Sequence, residues 1–346
     1  MKNLSIKAKV TILGSMNDAQ VILQENKQAY YMRGVRVEEI LYQDPIPMDL
    51  YFFNQGHYNI LLKKSDSLSI KQWDLLHKNI KEKNVPLFCH QEDRLQLNKF
   101  YQVKLRELTR SFSWELAKDK QKNKEFLKHF AQYYIHNFYQ LYQRPYDTEL
   151  LEVFYQANFG PAQTLVNSLD FLAILYSTLE SLSYPYFIKQ PLLSSFILLG
   201  FLAYTKQFSL KEMEHLYVVS TLKDIGMCFW PKTLFTQTAL SPVEKNLILH
   251  HPKDSLKIVS NKIPLSSNYL NILVNHHLSG DKISGIETQL VHICDSVVAI
   301  IQGRPYKGSI DLFNALSIIK NTLPAQYNQE YKLFVLFLQT FFKKVS

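Results

Sequence analysis

Carboxylates and imidazoles recur at wide intervals along the C-terminal half of this chain, each seated at or inside an apolar helical segment. Asp224 lies in TLKDIGM, His251 in LHHP, His276 and His277 close NYLNILVNHH, and Asp295 sits within VHICDSVVAI. An isolated carboxylate among apolar residues is costly unless it is paired or ligated. The pattern therefore constrains the chain to a bundle whose separate helices bring these groups together, as helical bundles do when they build metal sites. Pairing with Lys223 would satisfy Asp295 equally well.

Periodicity predicts a mainly helical protein. Ten glycines in 346 residues are few, and long apolar-periodic stretches dominate after about residue 105. With 47% hydrophobic residues the chain can bury a substantial core and form two domains. Residues 1–102 read as a small α+β domain. KAKVTILG, AYYMRGVRVEEIL and MDLYFFNQGHYNILLKK are rich in β-branched and aromatic residues, and Asn54-Gln55-Gly56 suits a hairpin turn. Ser69 is placed to cap a helix running to Lys83, with Ile70, Trp73, Leu76 and Ile80 on one face. VPLFCH reads as a short buried strand.

Residues 103–150 read as a helical linker. Phe126, Phe130, Tyr134 and Phe138 fall at helical spacing and form a packing face, and Pro145 ends the segment. Residues 151–346 then form an all-helical domain, with helical segments at TELLEVFYQAN, AQTLVNSLDFLAILYSTLESL and QPLLSSFILLGFLAY. The last of these runs falls short of the ~20 residues a membrane span needs. Ser241 and Glu244 form a capping box for a further helix.

Cys89, Cys228 and Cys294 form no CxxC and read as reduced thiols, which with the lack of a signal-peptide core points to the cytoplasm. The net charge of +9 suits anionic partners, but the lysines are dispersed, which excludes a dedicated nucleic-acid binder.

The order Lys223-Asp224, His251-Pro252, His276-His277, Asp295 and GRPYKGS at 303–309 resembles the HD-GYP branch of the HD superfamily. That family hydrolyses cyclic dinucleotides, chiefly cyclic di-GMP. His251 stands 27 residues after Asp224 and 25 before His276, so the agreement extends over several segments. The resemblance covers roughly residues 180–325. It implies an HD-type helical bundle in which Asp224, His251, His276, His277 and Asp295 occupy metal-ligand positions. Arg304 and Lys307 match positions that bind the dinucleotide. The strand–helix–strand pattern before residue 100 resembles the small domain that precedes some HD-GYP domains.

Departures from the family are equally specific. The His of its His-Asp pair is Lys223, and the lysine three residues after the Asp is Met227, so both catalytic-site positions are altered. The upstream Glu and His ligands are replaced by Tyr186 and Gln190, and the Gly-Tyr-Pro tripeptide is absent. A protonated lysine has no lone pair for a cation and repels one instead. The resemblance so altered implies a degenerate signalling protein without phosphodiesterase activity. It would bind cyclic di-GMP or a related dinucleotide and act as sensor or scaffold with a protein partner, as a homodimer, and with no cofactor or at most one Fe, Mn or Zn ion. Two other expectations stand beside it: an active phosphodiesterase with a reduced metal site, and a protein–protein adaptor.

Overall fold

The computed structural model describes residues 6–7, 21–25, 28–35, 37, 40–41, 45–54, 57–83, 85–118, 120–278, 285–304 and 308–345. The chain divides into two compact units between Val103 and Lys104.

The first unit contains a six-stranded antiparallel sheet, with strands β1 (Ile6–Lys7), β2 (Val21–Glu25), β3 (Gln28–Val35), β4 (Leu50–Asn54), β5 (His57–Leu62) and β6 (Leu87–His90). Their spatial order is β1-β5-β4-β6-β3-β2. Register places Phe53 opposite Tyr58 and Tyr51 opposite Phe88. Alternate residues thereby converge on a core of Met32, Tyr51 and Tyr58, flanked by Phe53, Ile60 and Phe88. Helix α1 (Ile70–Glu82) opens on a Ser69–Gln72 capping box and buries Trp73 and Ile80. Residues 8–14 and the Gln55-Gly56 turn lie outside the described residues.

Helix α2 (Gln91–Lys118) runs from the first unit into the second, where the remaining elements are helical. Helix α3 (Lys120–Gln143) stops just before Pro145, and its predicted aromatic stripe is a packing face. Tyr134 and Phe138 each stack on Phe154 of helix α4 (Thr148–Leu165) with ring centroids 4.9 Å apart. Two boundaries differ from the sequence expectation. Helix α4 continues through Pro161, and the stretch AQTLVNSLDF breaks at residues 166–168, where Ser168 caps α5 (Leu169–Ser181).

Helix α6 (Tyr186–Thr205) is 20 residues long and apolar enough to cross a membrane, longer than the apolar run alone suggested. It is hydrophobic all round because other helices cover it: 78% of its most apolar window is buried in the bundle. Packed against it are α5, α7 (Leu210–Leu222), α11 (Ile286–Ile301) and α13 (Asn328–Val345). Three shorter helices, α8 (Pro242–Ile248), α9 (His251–Val259) and α10 (Ser267–Asn275), follow α7, and α12 (Leu312–Thr322) lies between α11 and α13. The Ser241–Glu244 capping box starts α8 as expected.

Candidate metal centre

Four segments converge where α7 ends. Helix α7 gives way to a 3-10 turn at Ile225–Phe229, and Lys223 and Asp224 occupy the junction. His251 begins α9, His276 and His277 follow the last residue of α10, and Asp295 lies mid-way along α11. Lys223, His251 and His276 are fully enclosed, and Asp224 and Asp295 nearly so.

The imidazoles are oriented by backbone carbonyls. His251 Nδ1 lies 2.5 Å from the Ile248 oxygen, and His276 Nδ1 lies 2.7 Å from that of Leu273. A carbonyl oxygen only accepts, so Nδ1 carries the proton in each neutral ring and Nε2 presents a lone pair. Both Nε2 atoms point at one oxygen, Asp224 Oδ1, at 2.9 Å and 3.2 Å, and they stand 3.3 Å from each other. Three lone-pair donors thus face one another.

His277 is the least buried of the group and completes it. The four ligand atoms, from Asp224, His251, His276 and His277, lie within 4.8 Å of one another. Four tetrahedral ligands at ordinary Zn–N distances stand about 3.3 Å apart. The three separations among Asp224 Oδ1, His251 Nε2 and His276 Nε2 are close to that value, so these three donors fit one divalent cation, with His277 within 4.8 Å as a further imidazole that could join them.

Asp224's other oxygen has a different partner. Lys223 Nζ lies 2.5 Å from Asp224 Oδ2 and 2.8 Å from Asp295 Oδ1. Asp295 therefore stands apart from the four-residue group, held to the ammonium ion. Gln190 joins the same network: its Nε2 donates to Asp295 Oδ1 at 3.0 Å, while its Oε1 accepts from an Arg304 guanidinium nitrogen at 3.0 Å. Arg304 also lies over the Tyr186 ring, 5.6 Å from its centroid. Tyr186 and Gln190, one helical turn apart on α6, thus both meet Arg304. Lys307 lies outside the described residues.

Charge states follow from these contacts. Burial alone would raise the Asp224 pKa, but the Lys223 ammonium beside it outweighs this and holds the carboxyl well below its ordinary range. Asp295 is lowered too, its burial outweighed by Lys223. Burial would lower Lys223, yet the two carboxylates raise it. His276 is lowered, chiefly by burial. Two carboxylates and one ammonium leave a buried net negative charge that a further cation would neutralise.

Supporting residues that the motif pattern did not mark surround this centre. Ser255, one turn after His251, donates to the Lys223 carbonyl at 2.7 Å and accepts from the Gly226 N–H at 2.8 Å. Tyr142 donates to the Asp224 carbonyl at 2.9 Å. His292 Nδ1 meets the His276 carbonyl at 2.9 Å, so a histidine outside the motif braces one within it. Gly226 admits no side chain, because a Cβ there would fall 2.3 Å from the His251 oxygen. Met227 is buried in the 3-10 turn and supplies no cation.

No family model and no curated protein matches the sequence. Among solved structures, the chain is similar to Bd1817, a HDG"Y"P protein from Bdellovibrio bacteriovorus, with a TM-score of 0.63 and 16% identity over 89% of this chain and 99% of that one. At this identity the likeness shows the fold: the helical architecture is that of an HD-GYP protein.

Proposed function

We propose that this protein is a signalling component that binds a cyclic dinucleotide, cyclic di-GMP or a close relative, without hydrolysing it, and passes the bound state to a protein partner. Its centre holds a single divalent ion at Asp224, His251, His276 and His277. The observation that carries this reading is the Lys223 ammonium ion bridging Asp224 Oδ2 and Asp295 Oδ1. Two-metal phosphoester hydrolysis needs two cations about 3.5–4 Å apart, clamping the attacking and leaving oxygens. Here the far oxygen of Asp224 is taken by a lysine that offers no open coordination position. Arg304 is a planar donor suited to a phosphate or a guanine edge, and it stands next to this network through Gln190.

The test pairs calorimetry with a turnover assay on the metal-loaded chain. Saturable heat with cyclic di-GMP and intact nucleotide after prolonged incubation support the reading. Absence of heat at high micromolar ligand removes the binding role.

A second reading is favoured by the four-donor cluster itself. Any three of these donors can hold one ion and leave a fourth position for a water, and such an ion can generate hydroxide near neutral pH. In that case the protein is a metal-dependent phosphodiesterase with a reduced site, and turnover abolished by His276→Ala would identify it.

A further inference from the structure

We infer that Ser255 and Tyr142 are positioning residues for the metal centre, fixing the backbone on both sides of Asp224 so that its Oδ1 meets the two histidine Nε2 atoms. The inference rests on the single-ion reading above. Asp224 and His251 come from different helices, so their 2.9 Å approach depends on how α9 is held against the end of α7. A helix end leaves carbonyls without partners, and at the end of α7 these are supplied by side chains. The Ser255 hydroxyl donates to the carbonyl of Lys223, immediately before Asp224, and accepts from the N–H of Gly226, two residues after it. Tyr142, from α3, takes the carbonyl of Asp224 itself. Three anchor points, at residues 223, 224 and 226, therefore hold the backbone around one ligand.

Ser255 also sits on the same helix as His251, four residues on, so the two share one face of α9. A rigid turn of helix thus links one ligand to the hydroxyl that anchors the other. Gly226 makes this possible, since a Cβ would also lie 2.5 Å from the Ser255 nitrogen and force α9 away. Ser255 is fully buried, and its hydroxyl has partners on both its donor and acceptor sides.

The experiment titrates Co2+ into the metal-stripped full chain and follows both affinity and the visible d–d bands, whose shape reports ligand geometry. Ser195→Ala serves as the control, because Ser195 is equally buried but its hydroxyl bonds to the Leu192 carbonyl within α6 and to Tyr217, not to the backbone beside Asp224. The expected result is an affinity about 10–100-fold weaker with altered bands for Ser255→Ala, the range found when groups supporting metal ligands are lost. Tyr142→Phe is expected to be weakened about tenfold, and Ser195→Ala to match the wild type. An unchanged spectrum and affinity in Ser255→Ala overturns the inference, as does equal weakening in the Ser195 control. If Ser255→Ala does not fold, Tyr142→Phe decides in the same way. Failure of the wild type to bind Co2+ is a separate outcome, and it removes the single-ion reading instead.

Discussion

The Nε2 atoms of His251 and His276 stand 3.3 Å apart, each with its Nδ1 committed to a carbonyl and each aimed at the same oxygen of Asp224. Neutral rings so placed set lone pair against lone pair. A cation at their meeting point turns that repulsion into ligation, and the first prediction follows from it.

Purified protein is expected to carry one first-row divalent ion per chain, and elemental analysis of His276→Ala is expected to find none. Holding free metal a hundredfold above its dissociation constant adds about 2.7 kcal/mol to stability. Chelation should then lower the melting temperature by roughly 5–10 °C for a unit of this size.

Removing Lys223 is expected to destabilise the protein more than removing any one of the three histidines of the cluster. Lys223→Met strips the partner from two buried carboxylates, and breaking a buried pair in this way costs about 3–5 kcal/mol. Chemical denaturation would measure it, and a loss below 1 kcal/mol would contradict the bridge.

Lys223→His is expected to leave turnover at background. Tyr186, Gln190 and Met227 remain, and Gln190 still donates to Asp295. Substantial metal-dependent hydrolysis of cyclic di-GMP by this single variant would show that the lysine alone silences the site.

Stability of the metal-free protein should depend on pH at three points. Asp224 and Asp295 have lowered folded pKa values, so their contribution is present above the unfolded value of about 3.9 and is lost as pH falls through the lower folded values. Lys223 is raised, so its contribution is complete below about 10.4 and is lost as pH rises through the folded value. His276 is lowered, so stability declines as pH drops below about 6.5 toward its folded value. Urea midpoints across this range would reveal a plateau near neutrality with a first step down below pH 6.5.

Arg304→Ala is expected to weaken cyclic dinucleotide binding about 10–100-fold, the loss of one charged hydrogen-bonding group worth 1.5–3 kcal/mol. Calorimetry against the wild type measures it. An unchanged affinity would place the ligand elsewhere.

Much of this was legible in the sequence where covalent order does the work. The Ser69 and Ser241 caps depend on residues three apart, and both form as expected. The aromatic stripe of α3 declares its face by helical spacing, and the order of His and Asp groups points to the fold. Partner choice is another matter. Nothing local tells Asp295 to take Lys223 and Gln190, 72 and 105 residues away in the chain, while Asp224 turns one oxygen to the histidines. Ser255 and Tyr142 carry no sequence signal for the same reason: a hydroxyl that meets backbone carbonyls across helices leaves no pattern in residue spacing. The break before Ser168 is hidden in the sequence because apolar periodicity runs on across it.

Lys223 gives the centre one further property. A metal ion at such a position comes and goes with its concentration in the surroundings, and chelators, competing ions or scarcity can empty it. An ammonium group tethered to the backbone has no dissociation rate of that kind. The negative field of Asp224 Oδ2 and Asp295 is therefore answered at every metal concentration, and only the histidine side of Asp224 is left open to exchange.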